Sequence, residues 1–240
     1  MTGRVEISPT AKANSAFAAE WLIQRMTSTG GKFRLVLAGG ETPRELYKML
    51  AAKPLCDQIP WPRLELFFGD ERFVPPTDRM SNFRMVYESL IEGSPLVPEQ
   101  VYPMPTDGTP DSAAKRYEAM LKEIYGADTL DPAKPLFDVV LLGLGAEGHA
   151  ASLFPGSTAL DETEHWVAAV KQTRPPDRLT LTYPAIESSN AVAFIVSGEA
   201  KNRAVLDALA GNRASPAARV KPRGEMVWFL DRGAAGSLRG

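Results

Sequence analysis

The six-residue run Phe137-Asp138-Val139-Val140-Leu141-Leu142 constrains the fold more than any other segment of the chain. A strand so continuously apolar has no face to offer to water, so it has to be covered on both sides, as in parallel sheets flanked by helices. The rest of the sequence meets that demand. Strand-like segments at 33–38, 64–68, 166–170, 178–182, 191–196 and 226–230 alternate with helix-periodic segments at 11–26, 43–52, 81–91, 113–125 and 199–210. This alternation predicts an α/β fold of three layers, a mostly parallel sheet with helices on both faces. Residues 93–110 carry five prolines and read as an irregular excursion. With no repeat and no separating linker, residues 1–240 are expected to form a single domain. The residues before the strand at 33–38 read as one helix, with Ser8 as a cap and Pro9 in its first turn. Thr42-Pro43-Arg44-Glu45 reads as a capping box with Thr42 as the N-cap.

Composition narrows the class of function. Apolar residues are 44% and charged residues 23%, the balance of an ordinary globular protein able to bury a large core. Cys56 is the only cysteine, so no intramolecular disulfide can form, and a reducing compartment is expected. The N-terminal residues lack the apolar core of a secretory leader, and no apolar run is long enough for a bilayer. The expectation is a soluble cytoplasmic protein, monomer or homodimer, with no membrane partner. A net charge of −2 argues against a broad nucleic-acid surface but leaves room for a local cationic pocket that takes a small anion.

Ligands of open parallel sheets bind beyond the carboxyl ends of the strands, and four such ends carry unusual residues. At Gly39-Gly40-Glu41-Thr42, two glycines and a helix start could admit a phosphate or an oxyanion, or form an ordinary turn. At Gly69-Asp70-Glu71-Arg72, three charged residues either line a pocket or face solvent, with Arg72 suited to a phosphate. Ser81 and Asn82 follow at the next helix start. At Gly143-Leu144-Gly145-Ala146-Glu147-Gly148-His149, the spacing matches a dinucleotide fingerprint. Pro155-Gly156 comes too soon afterwards for the long helix which that fingerprint opens, so the match is misleading. His149 is instead a candidate general base, and Glu147 either orients it or faces solvent. At Ser197-Gly198-Glu199-Ala200-Lys201, a cation stands in a first helical turn, where an anionic ligand would suit it. His165 reads as a surface residue. Two scattered histidines and one cysteine make no zinc spacing, so no metal is expected.

Three segments together, 37–47, 69–84 and 142–156, resemble the 6-phosphogluconolactonases of the glucosamine-6-phosphate isomerase/6-phosphogluconolactonase family. The resemblance rests on Gly39-Gly40-Glu41-Thr42-Pro43, on Gly69-Asp70-Glu71-Arg72 followed by Ser81-Asn82, and on the glycine turn ending in His149 and running to Gly156. Arg178 to Thr182, Gly198 with Lys201, Pro216 to Val220 and Trp228 to Asp231 extend it over nearly the whole chain. Two positions depart: Glu147 stands where members usually have Asp, and Ala150 where many have Thr. The resemblance implies the fold of glucosamine-6-phosphate deaminases and ribose-5-phosphate isomerases, a sugar-phosphate substrate, hydrolysis of 6-phosphoglucono-δ-lactone, and neither metal nor organic cofactor. Within it His149 is the base on water, Arg72 and Lys201 hold the phosphate, and Arg178 is a further candidate. Gly39, Gly40, Thr42, Ser81, Asn82 and Gly148 complete the expected substrate site. Two rivals share some of these features. A deaminase would carry Asp-Glu-Tyr where this chain has Asp70-Glu71-Arg72, and a sugar-phosphate sensor would need an added DNA-binding segment.

Overall fold

The computed structural model describes residues 3–238. The chain begins with β1 (Arg4–Ser8), α1 (Ala11–Ser28), β2 (Phe33–Leu37) and α2 (Glu41–Ala51). Then come β3 (Leu64–Phe68), β4 (Asp70–Arg72), α3 (Asn82–Val86), β5 (Val101–Tyr102) and α4 (Pro110–Tyr125). β6 (Phe137–Leu142), β7 (Val167–Val170), β8 (Arg178–Leu181), α5 (Tyr183–Glu187) and β9 (Ser189–Val196) follow. The last elements are α6 (Asn202–Leu209), β10 (Glu225–Asp231) and α7 (Arg232–Ala235).

Seven strands form one sheet in the order β1-β10-β9-β6-β2-β3-β5, with every neighbouring pair parallel. The nearly unbroken apolar strand β6 is fourth of the seven, with every residue but Asp138 buried. Alternation along β10 divides the helices between the faces. Phe229 meets Phe17 and Trp21 of α1 at 5.8 and 5.4 Å between ring centroids. Trp228 points the other way and stacks on Phe194 of β9 at 3.9 Å.

From β2 the chain runs outward to β3 and β5, then returns to lay β6, β9 and β10 on the opposite side of β2. The β2–β6 boundary is therefore the switch point of the sheet, where a crevice opens beyond the carboxyl ends. A second sheet, β4-β8-β7, is antiparallel. Gly69 joins the two sheets: its N–H donates to Leu37 of β2 (3.0 Å), and its carbonyl accepts from Leu181 (2.8 Å). The small sheet thereby overhangs one side of the switch point, and α4 packs against it.

The structure corrects three expectations about local structure. The residues before β2 are not helix alone, because Val5 and Ile7 alternate with Arg4 and Glu6 in an edge strand paired only with β10. Helix α1 is capped by Thr10, not Ser8, and Pro9 lies outside it. Helix α2 starts before Thr42: Gly40 is its N-cap at φ 105°, a left-handed conformation that glycine adopts without a Cβ clash. Thr42 is thus freed from capping. Helix α3 does start after a Ser81 cap, as expected, but gives way to a π-type turn over Tyr87–Ile91.

Candidate active site

A cleft of ≈ 320 Å³ opens at the switch point, within the size range of small-molecule sites. Gly39, Gly40 and Thr42 form its wall after β2, and Gly143 to Gly145 with His149 form the wall after β6. Asp70, Arg72 and Asn82 close it from the small sheet and α3, and Ser197 with Lys201 close it after β9. All four strand ends singled out in the sequence meet in this one space.

The histidine turn has no helix in it. Gly148 N–H donates to the carbonyl of Gly145 (3.0 Å), and Gly145 N–H donates to the carbonyl of His149 (2.9 Å), so the loop closes on itself. Gly148 sits at φ 87°, and its carbonyl accepts from Ala217 N–H (3.0 Å) and Ser215 Oγ (3.2 Å). The imidazole lies over Gly145, where a Cβ would come within 2.7 Å of His149 Cγ, and against Phe154 at 4.5 Å between ring centres. Glu147 Oε1 is 2.9 Å from His149 Nδ1 but out of line with the ring N–H, so the contact is electrostatic rather than an aligned hydrogen bond. Burial pushes the Glu147 carboxyl up, but its own backbone N–H, His149 and Lys201 together hold it below the ordinary range. Ala151, beside the cleft, holds φ 49°, a strained value for a residue with a Cβ.

The charged run 70–72 is a strand, and strand alternation sorts its side chains. Asp70 and Arg72 face the cleft, while Glu71 turns into the protein. The Glu71 carboxylate accepts from the N–H groups of Arg72, Asn82 and Phe83, each at 2.7 Å, and from Ser81 Oγ (3.1 Å). Burial pushes its pKa up, and those three N–H donors pull it back. Asp70 is held by Ser152 Oγ (2.6 Å) and Asn82 Nδ2 (3.2 Å). Ser81 therefore caps and anchors α3 and does not line the cleft.

Arg72 and Arg178 face each other across the antiparallel pair β4–β8. Like charges directly opposite destabilise a sheet. Among the described residues neither guanidinium has a carboxylate within 4.0 Å, and the Nε of each is buried without a hydrogen-bond partner. One Arg72 nitrogen donates to the carbonyl of Met80 (2.6 Å). Burial, and then Arg72, lower the pKa of Arg178, although a guanidinium stays charged regardless. Two half-buried guanidinium groups, each with an unpartnered Nε and no carboxylate within 4.0 Å, make a place for an anion.

Of the residues singled out in the sequence, Gly39, Gly40, Thr42, Arg72, Asn82, His149 and Lys201 line the cleft. Glu147, Gly148 and Arg178 stand outside its lining, each paired with a residue of the lining or of the histidine turn, while Ser81 stands outside it bonded to Glu71 and Arg84. Sequence reasoning missed Ser152, whose bond to Asp70 appears only in three dimensions, and it named Ser197 only as part of its strand end and gave it no role. It could have separated Asp70 and Arg72 from Glu71 had their alternation been read as a strand. His165 is largely exposed, 3.4 Å from Glu118, away from the cleft. Among the described residues no group of three or more His, Cys, Asp or Glu is gathered as a metal site. No helix among them is long and apolar enough to cross a membrane.

An α/β fold with a cationic, histidine-bearing cleft at its switch point has the form of an enzyme for a small anionic substrate, and comparison with known proteins gives its family. Residues 9–228 match the model of the glucosamine-6-phosphate isomerases/6-phosphogluconolactonase family, and the chain belongs to that family. It is 38% identical over 216 residues to a chloroplastic 6-phosphogluconolactonase of Arabidopsis thaliana, covering 87% of this chain and 66% of that protein. It is 38% identical over 250 residues to the 6-phosphogluconolactonase of Mycobacterium tuberculosis, covering 99% of each. The crystal structure of a Thermotoga maritima 6-phosphogluconolactonase superposes with a TM-score of 0.81 at 27% identity, over 95% of this chain and 99% of that one. A monomeric glucosamine-6-phosphate deaminase gives a TM-score of 0.81 at 22% identity, over 98% of this chain and 100% of that one, a likeness of fold.

Proposed function

We propose that this chain hydrolyses 6-phospho-D-glucono-1,5-lactone to 6-phospho-D-gluconate, the lactone-opening step in the oxidative branch of the pentose phosphate pathway. The observation that carries this reading is one imidazole sharing a cleft with Arg72 and Lys201, while Arg178 faces Arg72 from the paired strand. Arg72, Arg178 and Lys201 bind the phosphate at one end of the substrate, which fixes the lactone carbonyl near His149 at the other. Neutral His149 takes a proton from a water molecule as the water oxygen bonds to the carbonyl carbon. Negative charge gathers on the carbonyl oxygen, where N–H groups of the glycine turns stabilise it. The bond from that carbon to the ring oxygen then breaks, and His149 returns the proton to the ring oxygen. Glu147 steadies the imidazolium that exists between the two proton transfers. The names of the relatives and the match of the family model over 9–228 support the substrate.

The test is the decay of freshly generated lactone above its spontaneous hydrolysis. The intact protein is expected to accelerate it, and His149→Ala to lose most of that acceleration while keeping the fold. A full-rate alanine variant would remove His149 from the mechanism but leave the substrate. No acceleration by the intact protein would remove the substrate, and ammonia release from glucosamine 6-phosphate would become the assay to run.

A further inference from the structure

We infer that Asp231, 8% exposed at the end of β10, is a positioning residue that sets Lys201 for the phosphate of the substrate. The inference rests on Lys201 being a phosphate ligand, as in the functional reading above. Strand pairing between β9 and β10 stops at Val196 and Leu230. Ser197, Gly198 and the short turn Glu199–Lys201 project beyond it with no neighbouring strand to hold them. The side chain of Asp231 takes over where the ladder ends. Its two oxygens accept from Gly198 N–H at 3.0 and 3.2 Å, and Oδ1 also accepts from Ala234 N–H (2.8 Å), capping α7.

Helix α7 is in turn pressed onto the Lys201 turn. A Cβ on Gly233 would lie 2.9 Å from Glu199 N, so only a residue without one allows this approach. Asn202, directly after Lys201, donates from Nδ2 to the carbonyl of Ala234 (3.0 Å). From α1, buried Asn14 donates to Val196 O (3.2 Å), Ser197 Oγ (3.2 Å) and Phe229 O (3.1 Å). Asp231, Gly233, Asn202 and Asn14 all lie outside the cleft lining, yet between them they fix the backbone on which Lys201 stands. A lysine is a point charge on a flexible stem, so the protein controls its charge only through the position of its Cα and the space around it.

Releasing Gly198 from Asp231 leaves the turn to be ordered by the ligand, which weakens ground-state and transition-state binding alike. Loss of such uniform binding raises KM and spares kcat. A carboxylate that merely capped α7 would instead change stability and leave KM alone.

The experiment measures KM, kcat and the Kd for 6-phosphogluconate by calorimetry in Asp231→Ala and Asp231→Asn, each with Lys201 intact and as Lys201→Ala. With Lys201 present, Asp231→Ala is expected to raise KM and Kd about tenfold with kcat within about twofold, as befits a weakened charge-assisted contact. In the Lys201→Ala background it should change neither by more than about twofold, because the contact is already gone. Asp231→Asn keeps one oxygen able to accept from both N–H groups and should recover most of the affinity. An unchanged KM in Asp231→Ala, or an equal rise with and without Lys201, would overturn the inference. If Asp231→Ala does not fold, Gly233→Ala displaces the same turn while keeping the carboxylate, and the same pair of outcomes applies. If the intact protein hydrolyses no lactone, the functional reading fails separately. The inference is then decided by the Kd of inorganic phosphate, which Asp231→Ala must weaken only while Lys201 is present.

Discussion

At the scale of single residues, the site depends on side chains that are small or absent as much as on those that react. His149 rests on Gly145, and a methyl group there would fall 2.7 Å from Cγ of the ring. Gly145→Ala is therefore expected to displace the imidazole and lower kcat/KM by about 100-fold, the scale set by a 1 Å misplacement of a reacting group. Because no donor or acceptor is lost, the melting temperature should stay close to that of the parent. Steady-state kinetics beside a thermal melt separates the two effects, and an active Gly145→Ala variant would show that the ring tolerates movement. Glu147 makes a different prediction. Its carboxyl is held below the ordinary value of 4.5, so the folded protein binds that proton less tightly than the unfolded chain does. Its contribution to stability is then full above about pH 4.5 and is lost as the pH falls through the lowered value. Urea unfolding between about pH 3 and pH 6 should show a shallower acid decline for Glu147→Gln than for the parent. The difference should be small, since half of the Glu147 side chain faces water. Identical declines would show that the pairing with His149 contributes nothing.

At the scale of elements, α3 is held by a buried carboxylate from outside the helix. Glu71 accepts three backbone N–H groups and one hydroxyl, and in Glu71→Gln one acceptor oxygen becomes an NH2 group aimed at donors. The expected loss is about 2 kcal/mol, the cost of leaving a buried donor unmet, or roughly 4–8 °C in a protein of this size. A calorimetric melt within about 1 °C of the parent would contradict this account of α3. The same region shows what the sequence could and could not convey. The central parallel strands and their helices were legible because burial on both faces leaves continuous apolar runs such as β6. Of the small antiparallel sheet, β7 and β8 were legible as strands, but β4 was not, because it is three charged residues whose partner β8 lies over a hundred residues away. With no apolar pattern, a strand held by a distant partner reads as a charged loop, and Glu71 looks like a pocket residue. The N-terminal edge strand escaped for a related reason: five residues of alternating character carry too little signal beside the long helix that follows. The four glycine-bearing strand ends could be found, because close approach and left-handed turns restrict residue type locally. Arg178 faces Arg72 only through the pairing of β4 with β8, so the cationic pair itself was not visible.

At the scale of the whole molecule, the fold gathers cations from distant parts of the chain. Arg72 comes from the small sheet, Arg178 from the strand beside it, and Lys201 from the turn beyond β9. Without a ligand, Arg72 and Arg178 repel each other across two strands, and part of the stability of the sheet is spent against that repulsion. An anion that bridges them should stabilise the entire fold, since it binds the native state and not the unfolded chain. At about 100 times its Kd, 6-phosphogluconate is expected to add about 2.7 kcal/mol, which corresponds to roughly 5–10 °C in a chain of this length. Gluconate, which lacks the phosphate, should produce almost no shift at the same concentration. Arg178→Gln keeps a polar stem in place while removing one of the opposed charges. The ligand-free variant should therefore melt no lower than the parent, yet lose most of the shift produced by 6-phosphogluconate. That opposite response, stability kept while ligand stabilisation is lost, distinguishes a binding cation from a packing one. A lower melting temperature for ligand-free Arg178→Gln with an undiminished ligand shift would mean that Arg178 supports the small sheet, and that the phosphate is held by Arg72 and Lys201 alone.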